Sequence, residues 1–338
     1  MNERIIQSVY FHNIPNPTHR YSQRIHNMQI KDIVKHLISK VAHILCKQGL
    51  IRRQIVIRMD GGICSQMHFY LVGEMLRRHG NNVSYDLTWY KTTGVDLDGR
   101  FCRNYDLTKL FPKLKLEEIS PKLLKQIYIS CFYKHMDYSS EVSYPNVWMK
   151  YKSPLYLDGY FHDTDEMFGD IFSESFEIDS NILDESNKNI LAHIQKSGKL
   201  SCAIHVRRGD LAKYNSAYGN PIELSYFLKA ISYIDNETER NATYFIFSDE
   251  PDWCNKMLIP HVEDRDVIVC DINGSDKGYY DLILMSNCHH QITSQGSMGK
   301  YAALLRDKTN DDGLVVLPAN KNSSEWVGRF NKSIIVSS

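Results

Sequence analysis

Apolar residues recur at helical spacing near the start of the chain. The positions from Ile30 to Leu45, three or four residues apart, predict one amphipathic helix, and lysines occupy its remaining faces. Such a helix either lies on an anionic membrane surface or packs on a domain with a solvated basic face. We expect packing, because most amphipathic helices of globular proteins are half-buried. Residues 1–53 are therefore predicted to form an N-terminal extension that contains this helix.

Residues 54–198 mix strand and helix patterns and form the first predicted domain. The predicted elements are a strand over 54–58, a helix over 67–79, a strand over 82–87 and a helix over 120–133. The aromatic stretch 151–161 is interpreted as core packing or, alternatively, as a face that stacks on a sugar. We place the domain boundary near residue 198.

Strands and helices alternate regularly over residues 199–338, the second predicted domain. Runs of β-branched and aromatic residues alternate with helical spacing and predict strands over 200–206, 242–247, 266–270, 290–293 and 313–317. Helices are predicted over 224–235 and 279–286, and a third one ends at 305. This alternation is typical of a parallel sheet with helices on both faces, so the chain is predicted to be an α/β protein.

Composition and charge exclude several classes of protein. The 338 residues are enough for about two domains. Forty basic and forty acidic residues give zero formal net charge, so nucleic acid is excluded as the main partner. We expect a cytoplasmic protein with reduced thiols, because the first residues lack a secretory signal. No C-x-x-C pair occurs among the eight cysteines, which are Cys46, Cys64, Cys102, Cys131, Cys202, Cys254, Cys270 and Cys288.

The most informative polar stretch is His205-Val-Arg-Arg-Gly-Asp210, directly after an apolar run. In open α/β sheets, ligands bind just outside the carboxyl ends of the strands. Guanidinium groups at such a place need an anion, and phosphate suits the planar fork of arginine. The alternative is an ion pair between arginine and carboxylate that ties two loops together.

Polar residues also follow two other predicted strands of the second domain. Ser248, Asp249 and Glu250 follow one, and the run from Ser294 to Ser297 opens a helix after the other. Each is suited to a nucleotide sugar, although Asp249 and Ser294 are also good helix N-caps. Because all three clusters fall at strand ends of one predicted sheet, we expect them to form one site.

Several shorter patterns are weaker. Three D-x-D pairs typical of metal-dependent glycosyltransferases occur, and we attribute them to chance; they are Asp96/Asp98, Asp163/Asp165 and Asp264/Asp266. Arg208-Gly209-Asp210 is an adhesion-type tripeptide, which would need an exposed loop on a secreted protein. His289 and His290 are predicted to point to opposite faces of a strand, so we expect no zinc site.

Taken together, these motifs resemble the α-1,2-fucosyltransferase family, within the H-x-R-R-x-D fucosyltransferase group. The resemblance covers residues 54–320 in order. The segments that carry it are Asp60-Gly-Gly-Ile-Cys-Ser-Gln-Met67, Tyr156-Leu-Asp-Gly-Tyr-Phe161, His205-Val-Arg-Arg-Gly-Asp210, Phe247-Ser-Asp-Glu-Pro-Asp-Trp-Cys254, Asp281-Leu-Ile-Leu-Met-Ser286 and Ser294–Ala303.

The resemblance implies a GT-B-like fold, in which two Rossmann-like domains face a cleft. The first, over 54–198, would be on the acceptor side, and the second, over 199–338, would bind the donor. It implies transfer of L-fucose from GDP-fucose to a sugar hydroxyl, with inversion at the anomeric carbon and an α-1,2 linkage. No metal or other cofactor is expected. The acceptor would be a bacterial surface-glycan intermediate of O-antigen or capsule type.

The resemblance also implies residue roles. Arg207 would hold the β-phosphate and stabilise the leaving GDP, His205 and Arg208 would support it, and Asp210 would orient the arginines. The general base is not assigned by the resemblance; Asp60, at a strand end, is our first candidate and Asp210 the second. The further donor-binding residues expected are Gly61, Gly62, Gln66, Ser248, Asp249, Glu250, Ser294, Gln295 and Ser297.

The sequence also departs from the family pattern. Ser65 stands where the family has Asn, His68 where Phe is common, and Met298-Gly299 where a pair of tryptophans is found. These departures concern the sugar end of the donor and the acceptor, so a related donor such as GDP-colitose is the alternative. Residues 1–53 have no counterpart in the family core, and they are candidates for contact with a membrane that carries a lipid-linked acceptor.

Overall fold

The structure is a computed structural model. It describes residues 30–50, 53–96, 99, 101–129, 134–137, 154–159, 161, 163–214, 220–309, 312–320 and 323–338. Three predictions therefore fall partly outside the described residues: the N-terminal extension before residue 30, the end of the helix predicted over 120–133 together with Cys131, and residues 151–153 and 160 of the aromatic stretch 151–161.

Ten strands form two parallel sheets. The first sheet has the order β2-β1-β4-β3 and the second the order β10-β9-β8-β5-β6-β7. The strands are β1 Gln54–Arg58, β2 Asn82–Asp86, β3 Lys134–Asp137, β4 Leu155–Asp158, β5 Ser201–Val206, β6 Thr243–Ser248, β7 Asp266–Cys270, β8 His290–Ile292, β9 Val315–Pro318 and β10 Ser333–Val336. Every pairing between these strands is parallel.

Helices connect the strands. The α-helices are Ile30–Lys47, Ile63–Arg78, Thr88–Thr92, Leu107–Leu110, Pro121–Ile129, Phe172–Ser175, Glu185–Ser197, Gly209–Tyr214, Leu224–Glu237, Pro251–Trp253, Gly278–Ser286, Met298–Asp307 and Ser323–Val327. Short 3₁₀ or π segments are Met167–Ile171, Ser180–Ile182, Gly198–Leu200, Cys254–Leu258, Ile259–His261 and Ser275–Lys277. The predicted GT-B-like α/β class is confirmed, since both sheets are parallel and helices join their strands.

The second sheet has Rossmann topology. Counted from β5, its strand order is 6-5-4-1-2-3, the order of the doubly wound dinucleotide-binding fold. Its core is a cluster of fully buried aliphatic and aromatic side chains from β5, β6, β8, β9, β10 and helix Leu224–Glu237, among them Ile204, Tyr226 and Ile246. Strands β5, β6, β8 and β9 are buried on both faces, which explains their nearly continuous apolar sequences.

The described part of the chain separates into two compact units, and each unit is built from several separate stretches of the sequence. The described residues within 1–58, 76–86 and 117–162 form one unit, and those within 59–75, 87–116 and 163–338 form the other. The smaller unit has its own core, in which Val56 and Tyr156 pack with Ile119, Leu124 and Ile127. The Asp60–Met67 loop thus belongs to the same unit as the second sheet. The predicted domain boundary near residue 198 stays a prediction.

Element predictions were wrong at a few places. Helix Ile63–Arg78 begins four residues before the predicted start, because Ile63 and Cys64 are buried in its first turn. Strands Lys134–Asp137, Leu155–Asp158 and Ser333–Val336 were not predicted. Leu155–Asp158 lies in the stretch that was interpreted only by its aromatic residues, and Ser333–Val336 follows Gly313–Leu317, which was taken as the last strand. Ser333–Val336 pairs with β9 at the edge of the sheet.

The N-terminal helix Ile30–Lys47 does not bury its apolar face as expected. Leu37, Ile38 and Val41 are 54–56% exposed, whereas Ala42 is buried. No helix in the described part of the chain combines the length and the apolarity needed to cross a bilayer.

Candidate functional site

The candidate site lies where the strand order of the second sheet reverses. Strand β5 pairs with β6 on one side and with β8 on the other. The three polar clusters predicted from the sequence follow these three strands, so they lie at the carboxyl ends of neighbouring strands. Ligands of doubly wound folds bind at this switch point. The three clusters thus lie at one edge of the sheet, and that they form one ligand site stays a prediction.

His205 and Ser294 connect the ends of β5 and β8. The Ser294 hydroxyl accepts a hydrogen bond from the backbone N–H of Arg207 at 3.1 Å and lies 3.1 Å from His205 Nδ1. Burial, with the charges of Arg207 and Lys300, lowers the pKa of His205 to about 3. His205 is therefore neutral at physiological pH.

Helix Met298–Asp307 approaches His205 closely. A Cβ at Gly299 would lie 3.1 Å from His205 Cβ and 3.3 Å from its Nδ1. A larger residue at position 299 would displace the imidazole or the helix. In this chain, therefore, glycine at position 299 lets the helix approach His205 closely.

The side chain of Arg207 lies beside two helix starts. Its Cδ is 3.5 Å from the position that a Cβ at Gly296 would take. Its charge also acts on Cys64, in the first turn of helix Ile63–Arg78, and Cys64 hydrogen-bonds with Ser297, the N-cap of helix Met298–Asp307. Burial raises the pKa of the Cys64 thiol to about 12, so it is uncharged. Two helix N-termini and a guanidinium therefore meet around Cys64.

A second guanidinium, that of Arg103, acts on the same place. Its charge also acts on Cys64, and its Nη1 is 3.2 Å from the position of a Cβ at Gly62. The same Nη1 donates a 2.6 Å hydrogen bond to the carbonyl of Ser275. Sequence reasoning missed Arg103, because the residue lies in no motif and is brought to the site by a loop.

Arg208 has different surroundings. Its guanidinium lies 4.0 Å from the centre of the Trp253 ring, and its Nη1 donates to the carbonyl of Ile222 at 3.0 Å. Its Nε is 3.9 Å from a carboxylate oxygen of Glu250. Arg208 therefore ties three segments together, which is the structural alternative left open for this motif. Since its side chain is only 17% exposed and Gly209 is buried, the adhesion alternative is not supported.

Asp249 holds the loop that follows β5. Its two carboxylate oxygens accept hydrogen bonds from the backbone N–H groups of Arg208 and Gly209, at 2.8 and 3.1 Å. The Ser248 hydroxyl accepts from the N–H of Glu250 at 2.9 Å. Asp210 lies in helix Gly209–Tyr214, and its side chain is outside the described part of the chain.

Gln66 connects the glycine turn to the segment that follows Arg103. Its side-chain oxygen accepts from the N–H groups of Asp106 and Leu107, both at 2.9 Å. Its amide nitrogen donates to the carbonyl of Asn104 at 2.8 Å and to that of Gly61 at 3.4 Å. All four hydrogen-bonding positions of this buried amide are thus used within the protein.

The other predicted site residues lie nearby. The Gly61 carbonyl also accepts from the hydroxyl of Tyr90 at 3.3 Å. Burial, with the charge of Asp60, raises the pKa of Tyr90, so Asp60 lies within electrostatic reach of that phenol. Gln295 accepts from the N–H of Ile222 at 3.2 Å and donates to the carbonyl of Asn220.

The D-x-D pairs are engaged with cations of the protein. The Asp163 carboxylate is 3.3 Å from both His68 Nδ1 and Arg329 Nη1. Burial alone would raise the pKa of Asp163, but the hydrogen bond from His68 and the charges of both partners hold it below its usual value. Asp264 pairs with Arg240 and Arg265, each at 2.6 Å. Within the described ranges, no three His, Cys, Asp or Glu side chains form a metal-binding group; Asp98 lies outside those ranges.

Comparison with known proteins gives a matching family and similarities to several individual proteins. Residues 109–334 match the model of the family described as glycosyl transferase family 11. The chain is 24% identical over 299 residues to an alpha-1,2-colitosyltransferase of Escherichia coli, across 82% of this chain and 95% of that protein. A mutant of Arabidopsis thaliana FUT1 in complex with GDP aligns over 79% of this chain and 72% of its own at 10% identity, with a TM-score of 0.42. The fucosyltransferase NodZ from Bradyrhizobium aligns over 76% and 93% at 14% identity, with a TM-score of 0.41.

Proposed function

Since the chain belongs to glycosyl transferase family 11, we propose that it transfers L-fucose from GDP-fucose to a sugar hydroxyl, in α-1,2 linkage and with inversion. The acceptor is a bacterial surface-glycan intermediate of O-antigen or capsule type. A lipid-linked acceptor and a cytoplasmic site of action belong to the same proposal. Membership of the family by itself shows that the protein is a glycosyltransferase of a fucosyltransferase family.

One observation carries the proposal: two guanidinium side chains each lie beside a glycine that precedes a helix, Arg207 beside Gly296 before helix Met298–Asp307 and Arg103 beside Gly62 before helix Ile63–Arg78. This arrangement supports binding of a sugar-nucleotide diphosphate, whose charge suits guanidinium groups and helix N-termini. As the glycosidic bond of the donor breaks, negative charge grows on the departing phosphate. Cations that are already held in place stabilise that charge by a few kcal/mol each. Each such cation therefore increases the reaction rate by about a hundredfold.

His205 acts in this proposal as a positioning residue. Because it is neutral and hydrogen-bonded to Ser294, it does not compete with the arginines for the phosphate. Ser294 in turn accepts from the N–H of Arg207 and holds the start of that segment. Asp249 holds the next two residues from the other side. Arg207 is thus the arginine that we assign to the phosphate, while Arg208 stacks on Trp253 and supports the loop.

The acceptor hydroxyl must lose a proton during transfer. Asp60 is our first candidate for the general base, because it follows β1 and precedes the glycine turn next to Arg103. Asp210 is the second candidate. We expect Asp60→Asn to lose turnover while it retains GDP binding. We do not expect this combination in Asp210→Asn.

A related GDP-deoxysugar is the alternative donor. The Escherichia coli relative is named as a colitosyltransferase, and Ser65, His68 and Met298-Gly299 depart from the fucosyltransferase pattern. GDP-fucose and GDP-colitose share the diphosphate that Arg207 and Arg103 would bind. The two donors therefore differ at the sugar, and hydrolysis of each by the purified protein, followed by mass spectrometry, distinguishes them.

The decisive variant is Arg207→Ala. We expect its turnover to fall by about two or more orders of magnitude, because a preorganised cation is lost at the leaving group. Arg103→Ala should weaken GDP binding, measured by calorimetry, and lower turnover in the same direction. Arg240→Ala, which removes an exposed arginine paired with Asp264, is the matched control and should keep full activity.

Near-native turnover in Arg207→Ala would contradict the assigned role. Assays in excess EDTA test the metal-dependent alternative at Asp163 and Asp165, because activity that disappears with EDTA and returns with a divalent cation would favour it. We expect full activity in EDTA. Failure of the protein to hydrolyse any GDP-sugar would overturn the proposed function as a whole.

A further inference from the structure

Exposed apolar side chains concentrate on one helix. Within the described ranges, seven of the fourteen exposed large hydrophobic residues lie between positions 33 and 50. Six of them belong to helix Ile30–Lys47 and are 43–56% exposed; they are Ile33, Val34, Leu37, Ile38, Val41 and Ile44. Part of this face forms an open groove of ≈ 380 Å³, and the described residues that line it all belong to the same helix. Single exposed apolar residues are ordinary, but a contiguous set marks an interaction surface.

The apolar face is wide and has lysines at its borders. At about 100° per residue, the six side chains cover an arc of about 140°. The positions of Lys40 and Lys47 lie next to one border of the arc, and those of Lys31 and Lys35 lie next to the other. Lysines at such borders can extend their charged ends towards lipid headgroups while their stems cover apolar surface.

Positive charge is concentrated in the part of the chain that contains this helix. Residues 1–53 contain nine Lys or Arg and two Asp or Glu, a formal net charge of +7. The chain as a whole has zero net charge, so residues 54–338 carry −7. An anionic surface would therefore attract the N-terminal end of the chain and repel the remainder.

A second copy of the helix is a poorer partner for this face. A two-stranded coiled coil needs only a narrow apolar seam, with charged residues beside it that form ion pairs between helices. Here the positions beside the seam are Ile33, Ile38 and Leu45 with Lys40 and Lys47, and no acidic residue is among them. Asp32, the one acidic residue of the helix, lies on the opposite face. Two copies would bring lysines together without opposite charges.

We propose that helix Ile30–Lys47 binds an anionic membrane surface and lies in its plane, with the apolar face in the headgroup region. The helix has 18 residues and is about 27 Å long. It does not meet the requirements for crossing a bilayer. This surface binding is independent of the donor site and of the proposed reaction.

The experiment is co-sedimentation of the full-length protein with vesicles. Phosphatidylcholine vesicles are compared with vesicles in which phosphatidylglycerol makes up one third of the lipid. Leu37→Gln/Val41→Gln removes two apolar side chains from the face. Ser39→Gln/His43→Gln places the same two glutamines on the opposite face and is the matched control. Lys40→Gln/Lys47→Gln removes the charges from one border.

We expect binding to the anionic vesicles only, and less of it at about 0.5 M salt, where surface charges are screened. Leu37→Gln/Val41→Gln should lower the bound fraction about tenfold or more, and Lys40→Gln/Lys47→Gln about tenfold. Ser39→Gln/His43→Gln should bind as the wild type does. All three variants should keep the wild-type circular dichroism and GDP-sugar hydrolysis, because none of the residues belongs to the donor site.

Three results would overturn the proposal. They are failure of the wild type to bind anionic vesicles, equal loss of binding in the control variant, and a dimer in lipid-free sedimentation velocity that Leu37→Gln/Val41→Gln abolishes. The last result would assign the face to a second copy of the chain. A protein that binds vesicles but hydrolyses no GDP-sugar would leave this proposal intact and refute the proposed function instead.

Discussion

Arg207 and Arg208 are adjacent in sequence, yet their side chains have different surroundings. Arg208 stacks on Trp253 and donates to the carbonyl of Ile222, whereas Arg207 lies beside Gly296 and within electrostatic reach of Cys64. After a strand that ends at Val206, successive side chains point to opposite sides. The motif therefore provides one arginine for structure and one for the candidate anion site.

His205 makes the stability of the protein sensitive to acid. The unfolded chain binds a proton at the ordinary pKa of 6.5, whereas the folded chain does so only near 3. Between these values the unfolded state holds more protons, so the free energy of unfolding decreases as the pH falls from 6.5. The contribution of one such histidine is up to about 1.4 kcal/mol per pH unit.

His205→Asn keeps an acceptor near Ser294 and cannot titrate. We expect urea unfolding of this variant to lose less stability between pH 7 and pH 5, by about 1–2 kcal/mol, than the wild type loses. His261→Asn, at an exposed position, is the control and should follow the wild type. A wild-type pH dependence in His205→Asn would contradict a buried neutral imidazole.

At the scale of elements, side chains rather than backbone contacts hold the site loops together. Asp249 binds the first N–H groups after β5, and Gln66 binds those at the start of helix Leu107–Leu110. Each connects segments about 40 residues apart in sequence. The segment Asn104–Leu107, which the Gln66 side chain binds, comes directly after Arg103 in the sequence. By holding this segment, the Gln66 amide helps to position the Arg103 guanidinium.

Gln66→Leu tests this role. The substitution leaves the N–H groups of Asp106 and Leu107 and the carbonyl of Asn104 without partners, so the free energy of unfolding should fall by about 2–4 kcal/mol. Gln48→Leu, at an exposed position, should change it by less than about 0.5 kcal/mol. Chemical denaturation measures both. If Gln66→Leu keeps wild-type stability but loses GDP binding, the amide contacts the donor directly.

At the scale of the whole molecule, the buried thiols report on the packing of the larger of the two compact units. The seven cysteines of the described part are free, and five of them are buried. Burial raises the pKa of Cys254 to about 11, and it raises those of Cys202, Cys270 and Cys288 as well. Buried thiols of high pKa react slowly, since the thiolate is the nucleophile.

In a Cys131→Ser background, we expect two thiols, Cys102 and Cys46, to react quickly with a disulfide reagent. The five buried thiols should react only after unfolding. Stopped-flow absorbance counts the fast thiols, and mass spectrometry identifies them. Rapid modification of a third thiol in the native protein would show that its surroundings open without unfolding.

Sequence patterns predicted the second sheet better than the first. Strand β7 was predicted with its exact bounds and β5, β6 and β8 within one residue, because buried parallel strands are short apolar runs that helices separate. Strand β3 was missed, since Lys134–Asp137 is too short and polar to give such a run. The N-terminal helix was predicted well in extent, but its exposed face was not, because exposure depends on what lies against the helix.

By itself, the sequence determined the α/β class, the family and the three polar clusters at the strand ends, because these depend on local periodicity and contiguous motifs. Only the tertiary structure decided that β8 lies beside β5, that Arg103 joins Arg207 around Cys64, and that Gln66 and Arg208 serve to hold loops. Those relations join residues from 14 to 172 positions apart. Chain folding brings such residues together, and local sequence carries no record of their distance.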